Sequence, residues 1–251
     1  MPPCGPQILA NNPMRILHVQ RRVVRKIGHA NLIWSERRAG GKRGMENSSD
    51  DGGQFTAGLH KYACDLTLDP NTANNYLSLS EENRKVTYVI KEQSYPDHPD
   101  RFDYHPQVLC RESLTGRCYW EAEWSGWGDI VVSYKGIRRK GDSVHCRFGL
   151  NEKSWSLIRL DHRLIVCHNE KTFISVTSPT SKRAGVYLDW SAGTLSFYSV
   201  SDTHTLTHLH TFNTTFTEPL YAGFGFDYFG SSDSSISLCQ IDRHSRGLHG
   251  P

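Results

Sequence analysis

The sequence predicts an all-β fold, a sandwich or a barrel, and three observations carry that expectation. From Ile130 to Cys239, strand-like segments recur about every eight to twelve residues, and their junctions carry Gly, Asn, Asp, Ser or Pro. None of these segments shows a helical stripe sustained over ten residues or more. Arg183 to Val200 (RAGVYLDWSAGTLSFYSV) reads as two strands around a tight turn. Val186, Leu188 and Trp190 fall on one face of its first arm, and Leu195 and Phe197 alternate with Thr194, Ser196 and Tyr198 on the second. Gly193 supplies the positive φ that a short hairpin turn demands. Such a hairpin cannot bury its apolar face alone and needs a partner sheet.

Taken in order, residues 1–58 form a low-order basic extension. Arg15 to Ile27 has the stripe of a short basic helix (Ile16, Val19, Val23, Ile27), but Arg37 to Gly58 is rich in Gly, Ser, Asp and basic residues. That composition cannot offset the entropy of ordering a chain, so a disordered tail is expected. Order begins near Tyr62. Cys64 to Pro70 reads as a strand, with Leu66 and Leu68 opposite Asp65 and Thr67. Strands are expected around Leu77, over Lys85–Val89 and at Val108–Cys110, with a Pro- and Asp-rich loop at Ser94–His105. Tyr119 to Trp124 sets Trp120, Ala122 and Trp124 against Tyr119, Glu121 and Glu123. Further strands are expected at Ile130–Tyr134, Cys146–Leu150, Ser154–Arg159, Leu164–His168, Lys171–Val176, Leu206–Phe212, Leu220–Phe226 and Ile236–Cys239. Residues 242–251 form a tail.

Charge separates the two parts. The 251 residues carry a net charge of +3, yet residues 1–61 hold 10 Lys+Arg against 4 Asp+Glu, which leaves 19 against 22 for the rest. The compact part is mildly acidic, which argues against nucleic-acid binding by it. Seven cysteines, none closer than eight positions, give no Cys-x-x-Cys pair. A zinc ribbon is excluded on that spacing, and free thiols in a reducing cytoplasm are expected. No run of 18 apolar residues predicts a membrane span, and the first 30 residues lack the apolar core of a signal peptide.

Catalytic signatures are missing. There is no Gly-x-Ser-x-Gly elbow, Walker loop or His-Glu-x-x-His. Gly223-Phe224-Gly225 lacks the third glycine and the helix of a dinucleotide loop. His204, His208 and His210 share one face of a strand in this reading but have no fourth ligand, so no metal is expected. No nucleophile–base pair emerges, so the chain is expected not to be an enzyme and to use no cofactor. Trp127, between Gly126 and Gly128, is a candidate partner anchor, with plain packing as the alternative. The loop at Tyr228-Phe229-Gly230 has the same two readings.

Four stretches together resemble the PRY-SPRY domain, the recognition module at the C-terminus of tripartite-motif ubiquitin ligases, butyrophilins and fish NACHT/leucine-rich-repeat receptors. They are CDLTLDPNTANNYLSLSEENRKVTY, YWEAEW, GVYLDWSAGTLSFYSV and PLYAGFGF. Their wording is closest to the fish versions in tripartite-motif-like proteins, immune receptors and stonefish-toxin-like proteins. The resemblance covers residues 59–241, with the PRY part at about 62–117 and the SPRY part at about 118–240. It implies a bent antiparallel two-sheet β-sandwich with variable loops at one end forming the binding face. Upstream of Leu59 there is no RING or B-box spacing, no heptad pattern and no nucleotide-binding loop, so ligase activity, zinc binding and nucleotide hydrolysis are not carried over.

By that resemblance, the partner-binding candidates are Phe102, Asp103 and Tyr104 in a first loop and Trp127 in a second. Ile158, Leu160, Asp161, His162 and Arg163 form a third, and Tyr228 and Phe229 a fourth. The expected function is non-catalytic recognition of a protein partner, in innate immunity. The alternative is a sensor of a phosphorylated small ligand, with Arg138, Arg139, His162 and Arg163 supplying charge.

Overall fold

A computed structural model describes residues 58–160, 163–177, 181–227 and 233–241. All of them belong to the unit Ser48–Pro251. Thirteen strands are assigned: β1 Leu77–Ser80, β2 Lys85–Tyr88, β3 Gln107–Leu109, β4 Arg117–Ser125, β5 Gly128–Tyr134, β6 Ser154–Leu160, β7 Arg163–His168, β8 Lys171–Thr177, β9 Arg183–Asp189, β10 Thr194–Val200, β11 Leu206–Asn213, β12 Leu220–Gly225 and β13 Ser235–Leu238. They form two antiparallel sheets, ordered β1-β2-β13-β4-β9-β10-β11 and β3-β12-β5-β6-β7-β8. The all-β two-sheet sandwich expected from the sequence is the fold observed.

Alternation fills the space between the sheets. Trp120 and Trp124 of β4 meet Val186 and Leu188 of β9, Phe197 of β10 and Phe224 of β12 in one core, all essentially inaccessible. Aromatic side chains dominate this core because each buries a large apolar area per residue fixed. At the hairpin turn, Gly193 has φ 67°, and a Cβ there would collide with the carbonyl oxygen of Thr214. Two factors, the left-handed backbone and the close approach, therefore demand glycine.

Three expectations are corrected. Cys64–Pro70 is no strand but an extended segment with isolated bridges at Ala63–Tyr119 and Leu68–Cys110. Leu66 and Leu68 face the core as expected, but Thr67 N–H donates to the Glu112 carboxylate (2.9 Å) instead of a ladder. Cys146–Leu150 is no strand either. A 3-10 turn at Val144–Cys146 runs into Gly149 at φ 76°, and the Asn151 amide ties the carbonyls of Val144 and Arg147. Third, His204, His208 and His210 do not share a face. A register shift on β11 pairs His210 with Phe197 and His208 with Tyr198, so the two histidines project to opposite faces. His204 lies in the preceding turn at φ 59°. Among the described residues, no group of three or more metal-type ligands assembles.

Candidate functional site

Antiparallel pairing brings several strand ends to one end of the sandwich. Gly128 of β5 pairs with Arg159 of β6, Leu160 with Arg163 of β7, Gly225 of β12 with Asp129, and Ser125 of β4 with Ser235 of β13. The segments after β12 and before β3 open from the same end. The sequence candidates distribute unequally over this rim.

Phe102 is not an exposed anchor. It is 0% exposed, packs edge-on against Phe148 (5.3 Å between centroids), and carries the Arg139 guanidinium 4.6 Å above its ring. Its neighbours fix it there: Asn74 Nδ2 donates to the carbonyls of Phe102 and Asp103 (both 3.1 Å). Asp103 is exposed, but its carboxylate accepts the Gly141 N–H (2.9 Å). Tyr104 is half-buried, edge-on to His105. His105 is buried, and desolvation together with the nearby Arg147 charge pushes its pKa down to about 3, so it is neutral.

The basic turn is divided by its environment. Arg139 donates to three carbonyls, of Asp100 (2.9 Å), Ile137 (2.7 Å) and Lys135 (2.8 Å), and burial lowers its pKa. It fastens the loop that carries Phe102 and is committed to that task. Arg101 does the same from the other side, donating to the carbonyls of Pro70, Ala73 and Pro96. Arg138 is exposed, as is Arg163 at the start of β7.

Trp127 is half-buried, and its backbone N–H donates to Ser234 Oγ (3.3 Å). Ile158 and Leu160 alternate with Leu157 and Arg159, so they lie on the outer face of the six-stranded sheet. Ile158 is buried there and Leu160 is half-buried. Arg159 turns inward over the Trp124 ring (5.9 Å), and its Nη1 is buried with no hydrogen-bond partner. Asp161, His162, Tyr228 and Phe229 lie outside the described residues.

Beneath this rim is a network that the sequence reading missed. Asp129, 1% exposed, accepts from Arg147 Nη2 (3.1 Å), and the same nitrogen serves Asp227 (2.9 Å). Arg147 Nη1 donates to the Phe226 carbonyl (3.0 Å). Burial pushes the Asp129 carboxyl up to about 7, although Arg147 pulls it down; Asp227 adds to the rise. One guanidinium divided between two carboxylates does not offset full desolvation of one of them. The available signal was an Asp inside an otherwise apolar strand pattern, Gly128-Asp129-Ile130-Val131-Val132. The network fixes the exit of β12 at Phe226 and Asp227, immediately before Tyr228 and Phe229 in the sequence.

The free-thiol expectation fails at two positions, because Cys64 and Cys118 form a disulfide. Cys110, Cys146, Cys167 and Cys239 are free. Among the described residues, no helix is long and apolar enough to cross a membrane.

Comparison with known proteins matches two family models: the SPRY-associated domain PRY over residues 66–114 and the SPRY domain over residues 117–239. Stonustoxin subunit beta of Synanceia horrida is 46% identical over 170 residues, covering 66% of this chain and 24% of the toxin subunit. Tripartite motif-containing protein 16 of Mus musculus is 41% identical over 184 residues, covering 72% and 32%. The chain thus spans about a quarter of the length of the toxin subunits it matches and a third of that tripartite-motif protein. Among solved structures, the TRIM65 PSpry domain superposes with a TM-score of 0.66 at 25% identity, covering 79% of this chain and all of that one. Stonustoxin superposes at 0.64 with 43% identity, covering 72% and 28%.

Proposed function

The chain belongs to the PRY-SPRY family across residues 66–239, and from that premise we propose that it recognises a protein partner without catalysis, in an innate-immune setting in the cytoplasm. SPRY domains serve in general as protein-interaction modules. Tripartite-motif relatives favour the immune setting. The observation that carries the reading is the rim itself. Trp127, Leu160 and Tyr104 remain partly accessible on strand ends whose supporting polar groups, Arg139 and Arg147, are bonded within the fold. Rigid aromatic and aliphatic side chains on a fixed frame lose little entropy on binding, the usual property of an anchor. The reading requires no cofactor, metal or nucleic acid.

The test uses the full chain as bait. A protein captured from cytosolic lysate is identified and then titrated against wild type and the Trp127→Ala/Leu160→Ala variant. The expected loss is about thirty-fold in affinity, corresponding to ~2 kcal/mol. Equal affinities would remove the rim from the binding face. The phosphorylated-ligand reading keeps Arg138 and Arg163 as exposed cations but has Arg139 only as a loop fastener. Calorimetry with a panel of phosphorylated metabolites separates it from protein recognition: heat of binding lost in Arg138→Ala or Arg163→Ala would support it.

A further inference from the structure

The start of the described chain is fastened to the sandwich at a single place. β13 pairs with β4 only from Ala122 to Ser125. Beside the earlier part of β4, residues 62–64 occupy the vacated edge. Tyr119 N–H donates to the Tyr62 carbonyl (2.9 Å), and Cys64 N–H donates to the Tyr119 carbonyl (3.1 Å). Leu59 packs with Tyr119 and Tyr198, and Arg117 donates to the Tyr62 hydroxyl (2.8 Å). The His60 ring stacks on Tyr119 (5.7 Å) with its Nε2 3.7 Å from Glu121, and the Tyr62 ring lies beside Tyr187 (5.9 Å) and under Arg117 (5.3 Å). Each of these noncovalent ties is individually weak. The covalent tie is the Cys64–Cys118 disulfide.

The two residues differ in exposure. Cys118 is buried beneath the sheet, while Cys64 is half-buried at its edge. Among the described residues, the free cysteines are poor competitors for exchange. Cys110, Cys146 and Cys167 are buried; burial pushes the Cys167 and Cys239 thiols up to about 11 and the Cys110 thiol higher still. Exchange requires a thiolate and a path to it, and these four groups lack one or both.

We propose that Cys64–Cys118 is a site of reversible thiol–disulfide exchange with a small-thiol couple of the glutathione class, and that its opening frees residues 58–64 from β4 and bares the Tyr119 and Tyr198 surface. A glutathione thiolate attacks the Cys64 sulfur, on the less buried of the two residues. The bond to Cys118 breaks, Cys118 leaves as a thiolate and takes a proton, and Cys64 carries the mixed disulfide. A second glutathione thiolate attacks that mixed disulfide at the glutathione sulfur. Glutathione disulfide departs, and Cys64 is left as a thiolate that takes a proton. Two electrons pass from two glutathione thiols to the protein; closure reverses both steps, with glutathione disulfide as the oxidant. A reducing cytoplasm would hold the clasp open, and an oxidising compartment would hold it closed. The inference is independent of the recognition reading, since the clasp lies toward the Arg117 end of β4 and the rim at its Ser125 end.

The experiment equilibrates the full chain at pH 7.5 across ratios of reduced to oxidised glutathione. Each sample is acid-quenched, alkylated and divided between peptide mass mapping and hydrogen exchange. At the oxidised limit a cross-linked peptide should contain Cys64 and Cys118, and it should vanish in one transition as reduced glutathione rises. Over that transition, amide exchange at residues 59–64 should accelerate at least tenfold, while β9 and β10 stay protected. Cys64→Ser, at a half-exposed position, should exchange fast at every ratio. Absence of the cross-link at the oxidised limit would overturn the proposal, as would a cross-link that resists glutathione until denaturant is added. Loss of β9 and β10 protection together with residues 59–64 would overturn it too, because the bond would then be a staple of the whole fold.

Discussion

Among the described residues, each sheet buries one carboxylate on its outer face, Glu121 and Asp129, and the two are answered differently. On the seven-stranded sheet, Glu121 accepts the Tyr119 hydroxyl (2.6 Å) on one oxygen and Arg183 (3.4 Å) on the other, with His60 Nε2 3.7 Å away. On the six-stranded sheet, Asp129 has only Arg147 among its side-chain partners, and Arg147 is divided with Asp227. Two independent donors satisfy a buried carboxylate without dependence on either one. A single divided cation makes the carboxylate, the cation and the neighbouring loop stand or fall together.

The largest expected effect breaks that comparison directly. Arg147→Ala leaves Asp129 buried and unpaired and should cost about 3–5 kcal/mol in urea unfolding at pH 7.5. Arg183→Ala should cost about 1 kcal/mol, because Arg183 is 30% exposed and Tyr119 still donates to Glu121. Equal losses would mean that the two carboxylates are held alike.

Phe102→Ala should cost about 3–4 kcal/mol by the same measurement, because it removes a fully buried ring from the Phe148 contact. Trp127→Ala, at a half-buried rim position, should cost about 1 kcal/mol or less in stability while weakening partner binding. Reversed magnitudes would return Phe102 to the binding face.

Smaller effects appear in pH dependence, and two groups act with opposite sign. Asp129 has a raised folded-state pKa, so the native state holds its proton where the unfolded chain has lost it. Its penalty therefore grows as pH rises from the ordinary carboxylate range to about 7 and is constant above that. The Asp129→Asn variant should gain stability relative to wild type across pH 5 to 8. His105 has a depressed folded-state pKa, so its penalty grows as pH falls below about 6.5. His105→Gln should gain relative to wild type from pH 7 to 5. Parallel unfolding curves for either variant and wild type would show that the group does not titrate on folding.

The strands were legible because period-two alternation is a property of the chain itself. The YWEAEW stretch showed which three side chains enter the core, and β4 placed them there. The site was much less legible. Phe102 lies in a Pro- and Asp-rich run that looks like an exposed loop, and only packing against Phe148 and Arg139 reveals its burial. The turn Arg138-Arg139-Lys140 reads as one charge cluster, yet three carbonyls brought up by the fold claim its middle member. Cys64 and Cys118 lie 54 residues apart, a separation that carries no local signal of pairing. Asp129, Arg147 and Asp227 come from three separate segments, and their joint arrangement exists only in the folded chain.

The loop between β2 and β3 is held almost wholly through main-chain oxygens. Arg101 reaches those of Pro70, Ala73 and Pro96, Arg139 that of Asp100, and Asn74 those of Phe102 and Asp103. A carbonyl oxygen is the same acceptor whichever residue bears it. The tether is therefore blind to the identity of solvent-facing positions such as Asp97 and Pro99. Their side chains can be rewritten while the loop keeps its path, so the surface of this segment can diverge without a matching loss of foldedness.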